Sequence, residues 1–296
     1  MRTTTEATAS NGTTERRATG RTLFDERMVG FRLRRYGHPM TEGALIFDLD
    51  DTLIVEAEVA RRSLRQVASL LPGQDPRQFE EVALRCARAA WRAGPYFSLC
   101  VDLGIASWEG LWATFEGGHG VLDDLRHWVS GYRSGVWREA LAELGIEDAA
   151  VAGSLADAYI AAQRRGHSLL DGAEALVRSL SGRRPLGLLT NGPADIQRLK
   201  FEGTGLAPCF DAVVISGELG MGKPDPAVFG YALEQLGAEA KGSTMIGDSW
   251  ERDVLGALGA GMSAVWIADG RPAPEVLDGV RVVERISDVG AVLAEG

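Results

Sequence analysis

The sequence predicts an α/β protein with a doubly wound parallel-sheet core and an inserted all-helical domain. Short apolar runs that stop abruptly at polar residues indicate strands buried on both faces of a parallel sheet. Helical patterns fill the stretches between the later runs, and this alternation is typical of a parallel sheet with crossover helices. One long stretch after the first run shows helical periodicity and no convincing strand.

The predicted strands end at residues suited to binding a ligand. The first apolar run, residues 44–47, ends in Asp48-Leu49-Asp50-Asp51-Thr52. Similar runs recur at residues 186–189, 213–215, 244–246 and 264–267. Because ligands of such sheets bind beyond the carboxyl ends of the strands, we expect the polar residues there to form the site.

The helical stretch covers residues 56–167 and defines the predicted domain organisation. Its apolar residues recur at helical spacing, as in Ala60, Leu64, Val67 and Leu71. We therefore predict an α/β core from residues 43–55 and 168–296, with an all-helical domain inserted between its two parts.

Residues 1–42 differ from the rest of the chain in composition. They are Thr-rich and then Arg-rich, with eight arginines against five acidic residues, and their apolar residues have no sustained period. We predict a disordered N-terminal extension. The alternative is an arm that binds nucleic acid or a partner, for which a net charge of +3 is weak support.

Composition and net charge argue against several classes of function. The 296 residues, 45% hydrophobic and 24% charged, are enough for a substantial core, and the net charge of -10 argues against binding a nucleic-acid polymer or an anionic membrane. No apolar run approaches the roughly 20 residues of a membrane helix. The three cysteines, Cys86, Cys100 and Cys209, lack metal-like spacing, which favours a cytoplasmic location. We expect a monomer or homodimer.

Four aspartates at strand ends predict a metal site. Asp48 and Asp50 are two apart, so in an extended segment their side chains project to the same side. Asp248 ends another apolar run, and Asp253 follows five residues later. Oxygen ligands without His or Cys suit Mg²⁺ beside a phosphate. For any single aspartate, helix capping or loop solvation is the alternative interpretation.

Two further motifs predict an anion site on the same side of the sheet. Thr190-Asn191-Gly192 ends a run and precedes Pro193, a residue favoured at the start of a helix. Lys223 precedes Pro224-Asp225-Pro226, which can cap and open the next helix. Only three of the 31 basic residues are lysines, so a compact ammonium here favours a phosphate ligand. For this residue taken alone, an exposed surface lysine is the alternative.

Together these motifs resemble those of the haloacid dehalogenase (HAD) superfamily. The resemblance covers about residues 43–270 and rests on four ordered segments: Asp48-Leu49-Asp50-Asp51-Thr52, Thr190-Asn191, Lys223 with Pro224-Asp225-Pro226, and Gly247-Asp248-Ser249 with Asp253. It implies a Rossmann-like core, and the helical insertion looks like the superfamily's C1 cap. Asp50 resembles the second acid of its phosphatases and phosphotransferases, which its dehalogenases as a rule lack.

The resemblance also implies a role for each motif residue. Asp48 would attack phosphorus and form an aspartyl phosphate, and Asp50 would act as general acid and then general base. Thr190, Asn191 and Lys223 would bind the phosphoryl group. Mg²⁺ would be held by Asp48, the backbone carbonyl of Asp50, and Asp248, with Asp253 as a further ligand or support.

Candidate substrate contacts lie in the helical insertion. Tyr96 and Phe97 follow Gly94-Pro95 in a predicted loop, His119 lies in a flexible polar loop, and Arg164 lies near the return to the core. The alternatives are a connecting loop around His119 and an exposed helix end at Arg164. For helically spaced aromatics such as Trp108 and Trp112, the domain's own core is favoured.

The sequence thus predicts a Mg²⁺-dependent phosphatase that hydrolyses a small phosphorylated metabolite. A nucleoside monophosphate, an acylneuraminate phosphate, another sugar phosphate and a biosynthetic intermediate all stay open as substrates. A phosphotransferase or phosphomutase that uses the same intermediate is the first alternative. A non-catalytic binding protein on the same fold is the second.

Overall fold

The computed structural model of the chain describes residues 43–295, so the predicted extension at residues 1–42 lies outside the described part. Within that part the strands form one parallel sheet of six, in the order β3-β2-β1-β4-β5-β6. The strands are β1 (Leu45–Phe47), β2 (Leu186–Thr190), β3 (Ala212–Ile215), β4 (Thr244–Gly247), β5 (Ser263–Ile267) and β6 (Val280–Val283).

The short strand β1 lies at the centre of the sheet. Leu45 pairs with Leu186 of β2 on one side and with Thr244 of β4 on the other. The strand order therefore reverses direction at β1, which is the doubly wound arrangement that the sequence predicts. In such sheets a crevice opens beyond the carboxyl ends of the strands at the reversal point, so residues that follow β1 lie at the expected ligand site.

The helical insertion, residues 56–167, separates β1 from β2. Its helices are α1 (Ala57–Val67), α2 (Pro76–Ala93), α3 (Phe97–Asp102), α4 (Ser107–Gly110), α5 (Asp123–Glu143) and α6 (Ala149–Gly166). Asp75 caps α2 by accepting hydrogen bonds from the backbone N–H groups of Arg77 and Gln78. The insertion has its own apolar core, in which Trp112 and Trp137 are almost fully buried. Trp112 therefore belongs to the insertion's own apolar core, as the sequence favours.

The remaining helices cover both faces of the sheet. They are α7 (Ala173–Leu180), α8 (Ala194–Gly203), α9 (Ser216–Leu219), α10 (Pro226–Leu236), α11 (Gly256–Gly259) and α12 (Val289–Ala294). Because side chains alternate along a strand, Leu45 and Phe47 join one apolar cluster and Ile46 joins the cluster on the opposite face. Burial on both faces explains the unbroken apolar runs of the sequence.

The insertion enters and leaves the core at one place. The backbone N–H of Val55 donates to the carbonyl of Ser168 at 2.9 Å, and that of Leu170 donates to the carbonyl of Leu53 at 2.9 Å. Residues 53–55 and 168–170 thus form a short antiparallel ribbon next to the loop that follows β1. In the described part of the chain, every helix is too short or too polar to cross a bilayer.

Candidate active site

The loop after β1 is shaped by Asp51. This residue adopts a positive φ of 54°, a region that aspartate tolerates better than most residues. Its carboxylate accepts hydrogen bonds from the backbone N–H groups of Glu56, at 2.9 Å, and Ala57, at 3.2 Å. Asp51 therefore fixes the start of α1.

Asp48 and Asp50 line the same cavity but bind different lysines. The Oδ1 atom of Asp48 lies 2.7 Å from the Nζ atom of Lys223, whereas both carboxylate oxygens of Asp50 lie within 3.3 Å of Nζ of Lys200. The spacing of two residues predicts that the two carboxyl groups project together. Both residues do line one cavity, but each carboxylate is paired with its own lysine.

Three carboxylates converge at the carboxyl ends of β1 and β4. One oxygen from each of Asp48, Asp248 and Asp253 lies within 4.8 Å of the others. Asp253 is held in a π-helix, Trp250–Leu255, where it also accepts a hydrogen bond from the backbone N–H of Ser249 at 2.9 Å. The ammonium of Lys223 lies 2.6 Å from Asp253 and 2.7 Å from Asp48, so it joins two members of the cluster.

The charge of this cluster fits a divalent cation. Burial raises the pKa of Asp48 well above its usual value, and Asp253 and Asp248 add to that rise against the lowering effect of Lys223. Burial and Asp253 likewise raise the pKa of Asp248 to about 7. The cations at the cluster are Lys223 and Arg271, whose guanidinium lies 3.4 Å from Asp248, so two positive charges face three carboxylates. An all-oxygen donor set of this kind suits Mg²⁺.

Asn191 fixes the position of Lys223. Its side-chain oxygen accepts a hydrogen bond from the backbone N–H of Lys223 at 2.9 Å, and its amide nitrogen donates to the carbonyl of the same residue at 2.8 Å. The sequence predicts Asn191 as a phosphate ligand. The side chain in this structure instead holds the backbone of Lys223, and its direct contact with phosphate stays a prediction.

The aspartates and Lys223 open into a cavity of about 450 Å³ between the sheet and the insertion. Thr190 and Asn191 line it from the end of β2. The insertion contributes aromatic and basic side chains from α2, α3 and α4: Arg88, Trp91, Arg92, Phe97 and Trp108. Arg252 lines the cavity from the π-helix. A small molecule that entered would therefore contact both the core and the insertion.

A family model for haloacid dehalogenase-like hydrolases matches residues 43–261, which includes every motif described above. The chain belongs to the haloacid dehalogenase-like hydrolases. Its relatives include the phosphoserine phosphatase of Thermus thermophilus, 39% identical over 241 residues that cover 80% of this chain and 94% of the relative. Pyrimidine 5'-nucleotidase YjjG of Escherichia coli is 33% identical over 62% of this chain and 78% of its own length.

Solved structures confirm the fold of this haloacid dehalogenase-like hydrolase. The HAD-hydrolase YfnB from Bacillus subtilis, solved with bound magnesium, superimposes with a TM-score of 0.59 and covers 85% of this chain and 98% of its own. At 22% identity this likeness shows the fold alone. The predictions of a Rossmann-like core and of a HAD-family phosphomonoesterase are confirmed by the family match and by the phosphatase relatives together.

Of the four residues predicted from the sequence as substrate contacts in this haloacid dehalogenase-like hydrolase, the described cavity lining includes Phe97 only. Tyr96 packs against Trp128, with ring centroids 5.9 Å apart. His119 donates its backbone N–H to the carbonyl of Gly217 in the core at 2.7 Å, and Arg164 is exposed in the last turn of α6. These three residues therefore lie outside the cavity lining.

Sequence reasoning missed Gln197 and Lys200, which lie one turn apart on α8. The Nε2 atom of Gln197 donates to Asp50 at 2.8 Å and to the hydroxyl of Thr190 at 2.7 Å. Lys200 is 2% exposed and contacts Asp50 directly. The sequence signal for Lys200 is its rarity, because it is one of only three lysines among the 31 basic residues.

Proposed function

We propose that this chain is a Mg²⁺-dependent phosphatase that hydrolyses small phosphate monoesters through a phosphorylated Asp48. The observation that carries the proposal is the convergence of Asp48, Asp248 and Asp253 around the ammonium of Lys223 at the end of the central strand. A buried carboxylate beside positive charge is a competent nucleophile toward phosphorus once the charge on the phosphate oxygens is offset. Mg²⁺, when bound, supplies positive charge that offsets the phosphoryl oxygens and the carboxylates.

The chain's own residues carry the proton and bond changes. An oxygen of Asp48 forms a bond to phosphorus while the bond from phosphorus to the alcohol oxygen breaks, and Asp50 gives its proton to that oxygen. Water then attacks the phosphorus atom, Asp50 takes the proton of the water, and the bond from phosphorus to Asp48 breaks. Burial and Glu56 raise the pKa of Asp50 against the opposing effect of Lys200, which favours a protonated Asp50 for the first step.

Lys223 and Thr190 bind the transferred phosphoryl group in this proposal. Lys223 is already paired with Asp48, so its ammonium lies where the charge of the nucleophile and that of the phosphate meet. The hydroxyl of Thr190 lies at the end of β2 and lines the same cavity. The helical insertion acts as a cap, because it supplies the cavity wall opposite these residues and limits the access of water.

The cavity favours a substrate with a second anionic group. The side chains of Arg88, Arg92 and Arg252 line it, and none of them forms an ion pair with a carboxylate of the described residues. Arg88 and Arg92 are four residues apart on α2, so both guanidinium groups extend from one helix face. Arginine binds carboxylates with two parallel hydrogen bonds. Phosphoserine, which the Thermus thermophilus relative is named for, carries such a carboxylate.

The test is a screen for phosphate release in Mg²⁺ from carboxylated phosphate monoesters, nucleoside monophosphates and sugar phosphates. We expect turnover that Asp48→Asn abolishes, and a preference for a carboxylated ester that Arg92→Met lowers more than it lowers turnover of p-nitrophenyl phosphate. Turnover that persists in Asp48→Asn contradicts the nucleophile. Formation of a new phosphate ester in place of free phosphate identifies a phosphotransferase. The cytoplasmic location and the monomeric or homodimeric state stay predictions.

A further inference from the structure

The ammonium of Lys200 is the centre of a buried charge cluster next to the proposed metal site. Its Nζ atom lies 3.2 and 3.3 Å from the two oxygens of Asp50, 3.0 Å from Glu56 and 3.4 Å from Glu109. The side chain of Lys200 has no exposed surface, and those of Glu56 and Glu109 are each 5% exposed. The three carboxylates come from the β1 loop, the residue before α1, and α4.

Stability alone does not explain this cluster. Burying an ammonium and several carboxylates is costly, and a well-packed apolar group in such a place is often equally or more stable. Moreover, the cluster holds more carboxyl groups than cations, and burial raises the pKa of Glu109 to about 8 despite the nearby Lys200. This chain uses arginine for most of its positive charge, so the choice of a buried lysine at position 200 needs an explanation other than stability. The geometry around Asp50 supplies one.

Lys200 and Gln197 hold both oxygens of Asp50 from one side. Gln197 donates to Oδ2 at 2.8 Å, and Lys200 reaches Oδ1 and Oδ2. The two residues are three positions apart on α8, so they extend from the same face of the helix. The Asp50 side chain keeps 23% of its surface exposed and lines the cavity. Its carboxyl group is thus restrained from the side of α8 and accessible from the substrate side.

We infer that Lys200 and Gln197 are positioning residues that orient the Asp50 carboxyl for proton transfer, an inference that rests on the proposed function. When Asp50 gives its proton to the leaving alcohol oxygen, the O–H bond of the alcohol forms and Asp50 becomes a carboxylate. The ammonium of Lys200 then offsets the new charge without any movement of the chain, which is the advantage of a preorganised cation over water. Gln197 fixes the second oxygen and so selects one orientation of the carboxyl group.

The test uses the dependence of the rate on the leaving group. An alkoxide leaves poorly without a proton, whereas p-nitrophenolate leaves readily, so kcat/KM for an alkyl phosphate depends on Asp50 far more than kcat/KM for p-nitrophenyl phosphate. General acid catalysis contributes about 10² to 10⁴-fold. We expect Lys200→Met to lower kcat/KM for the best alkyl substrate about 100-fold and that for p-nitrophenyl phosphate less than tenfold. Gln197→Leu should act in the same direction with a loss of about tenfold for the alkyl ester. Lys241→Met, at an exposed lysine, is the matched control.

A double variant separates positioning from general damage. In an Asp50→Asn background, Lys200→Met should cause no further loss with the alkyl substrate, because the group it orients is gone. Equal losses for both substrates, or additive losses in the double variant, overturn the inference. If Lys200→Met does not fold, Gln197→Leu and the pair Lys200→Gln with Glu109→Gln carry the same comparison. Absence of any phosphate release by the wild-type enzyme in Mg²⁺ refutes the proposed function, whereas an active wild type with equal losses refutes this inference alone.

Discussion

Replacing Lys223 with methionine tests the charge balance of the candidate site. The substitution keeps an unbranched side chain and removes the ammonium that lies 2.7 Å from Asp48 and 2.6 Å from Asp253. Removing one partner of a buried ion pair costs about 3–5 kcal/mol, because it leaves uncompensated charge behind. For a chain of this size, 1 kcal/mol shifts Tm by about 2–4 °C. We therefore expect Lys223→Met to lower Tm by about 6–20 °C in the presence of a chelator.

The same substitution should also slow catalysis. The ammonium of Lys223 lies 2.7 Å from Asp48, so in the proposed mechanism it lies where the negative charge of the nucleophile and that of the phosphate come together. Loss of one preorganised donor of this kind lowers the rate about 10² to 10³-fold, or roughly 3–4 kcal/mol in activation free energy. The assay is kcat/KM for p-nitrophenyl phosphate in saturating Mg²⁺, with Lys241→Met as the control that should keep wild-type activity.

Two results would refute this reasoning. A Lys223→Met enzyme that keeps more than a tenth of the wild-type kcat/KM shows that the ammonium does not act on the reacting charges. An unchanged Tm in chelator shows that the two ion pairs contribute nothing to stability, whatever their distances. Added Mg²⁺ should restore part of the lost Tm, since a cation among the three carboxylates replaces the missing positive charge.

Three further predictions concern the metal, its supporting backbone and the cluster around Lys200. Excess chelator should abolish turnover and added Mg²⁺ should restore it; activity that persists in chelator contradicts the metal assignment. A Cβ atom at Gly247 would lie 2.2 Å from a carboxylate oxygen of Asp253, so Gly247→Ala should raise the Mg²⁺ concentration for half-maximal activity at least about tenfold; an unchanged Mg²⁺ titration would show that Asp253 is not a ligand. Burial acts to raise the pKa of Glu56, but Lys200 and His167 outweigh it and hold that pKa at about 2, below the usual 4.5. The stability that Glu56 contributes, about 3 kcal/mol, is therefore present above pH 4.5 and lost as the pH falls toward 2. The free energy of unfolding should fall more steeply from about pH 5 to pH 3 in the wild type than in Glu56→Gln, and equal slopes would contradict the assignment.

The sheet and its strand-end motifs were predictable because their signals are local. A buried parallel strand is apolar along its whole length, and the polar residues that follow it lie at the edge of the sheet where ligands bind. The position of each motif can therefore be predicted from the apolar run before it. The convergence of Asp48, Asp248 and Asp253 follows from the adjacency of β1 and β4, which the sequence alone does not give. The family resemblance implied the grouping of these aspartates without giving the strand order.

The partners of Asp50 were not predictable in the same way. Lys200 is separated from Asp50 by 150 positions along the chain, and whether a helical residue faces a strand end depends on how α8 packs. The cavity arginines on α2 present a similar difficulty. Arg88 and Arg92 have the exposure and charge of ordinary surface residues. They line the cavity only because α2 is placed over the end of the sheet. His119 and Tyr96, which the sequence predicts as substrate contacts from their loop context, lie outside the cavity lining.

The ribbon of residues 53–55 and 168–170 has a consequence for the evolution of such enzymes. Its two halves are joined by backbone hydrogen bonds, so the chain leaves the core for the 112 residues between positions 55 and 168, and returns to it, at a single place. The pairing of β1 with β2 and β4 involves no residue of that module. A different module inserted at this place would leave Asp48 and Lys223 in position. Exchange of this one contiguous segment would thus change the residues that face the substrate, while Asp48, Lys223 and the sheet that holds them stay the same.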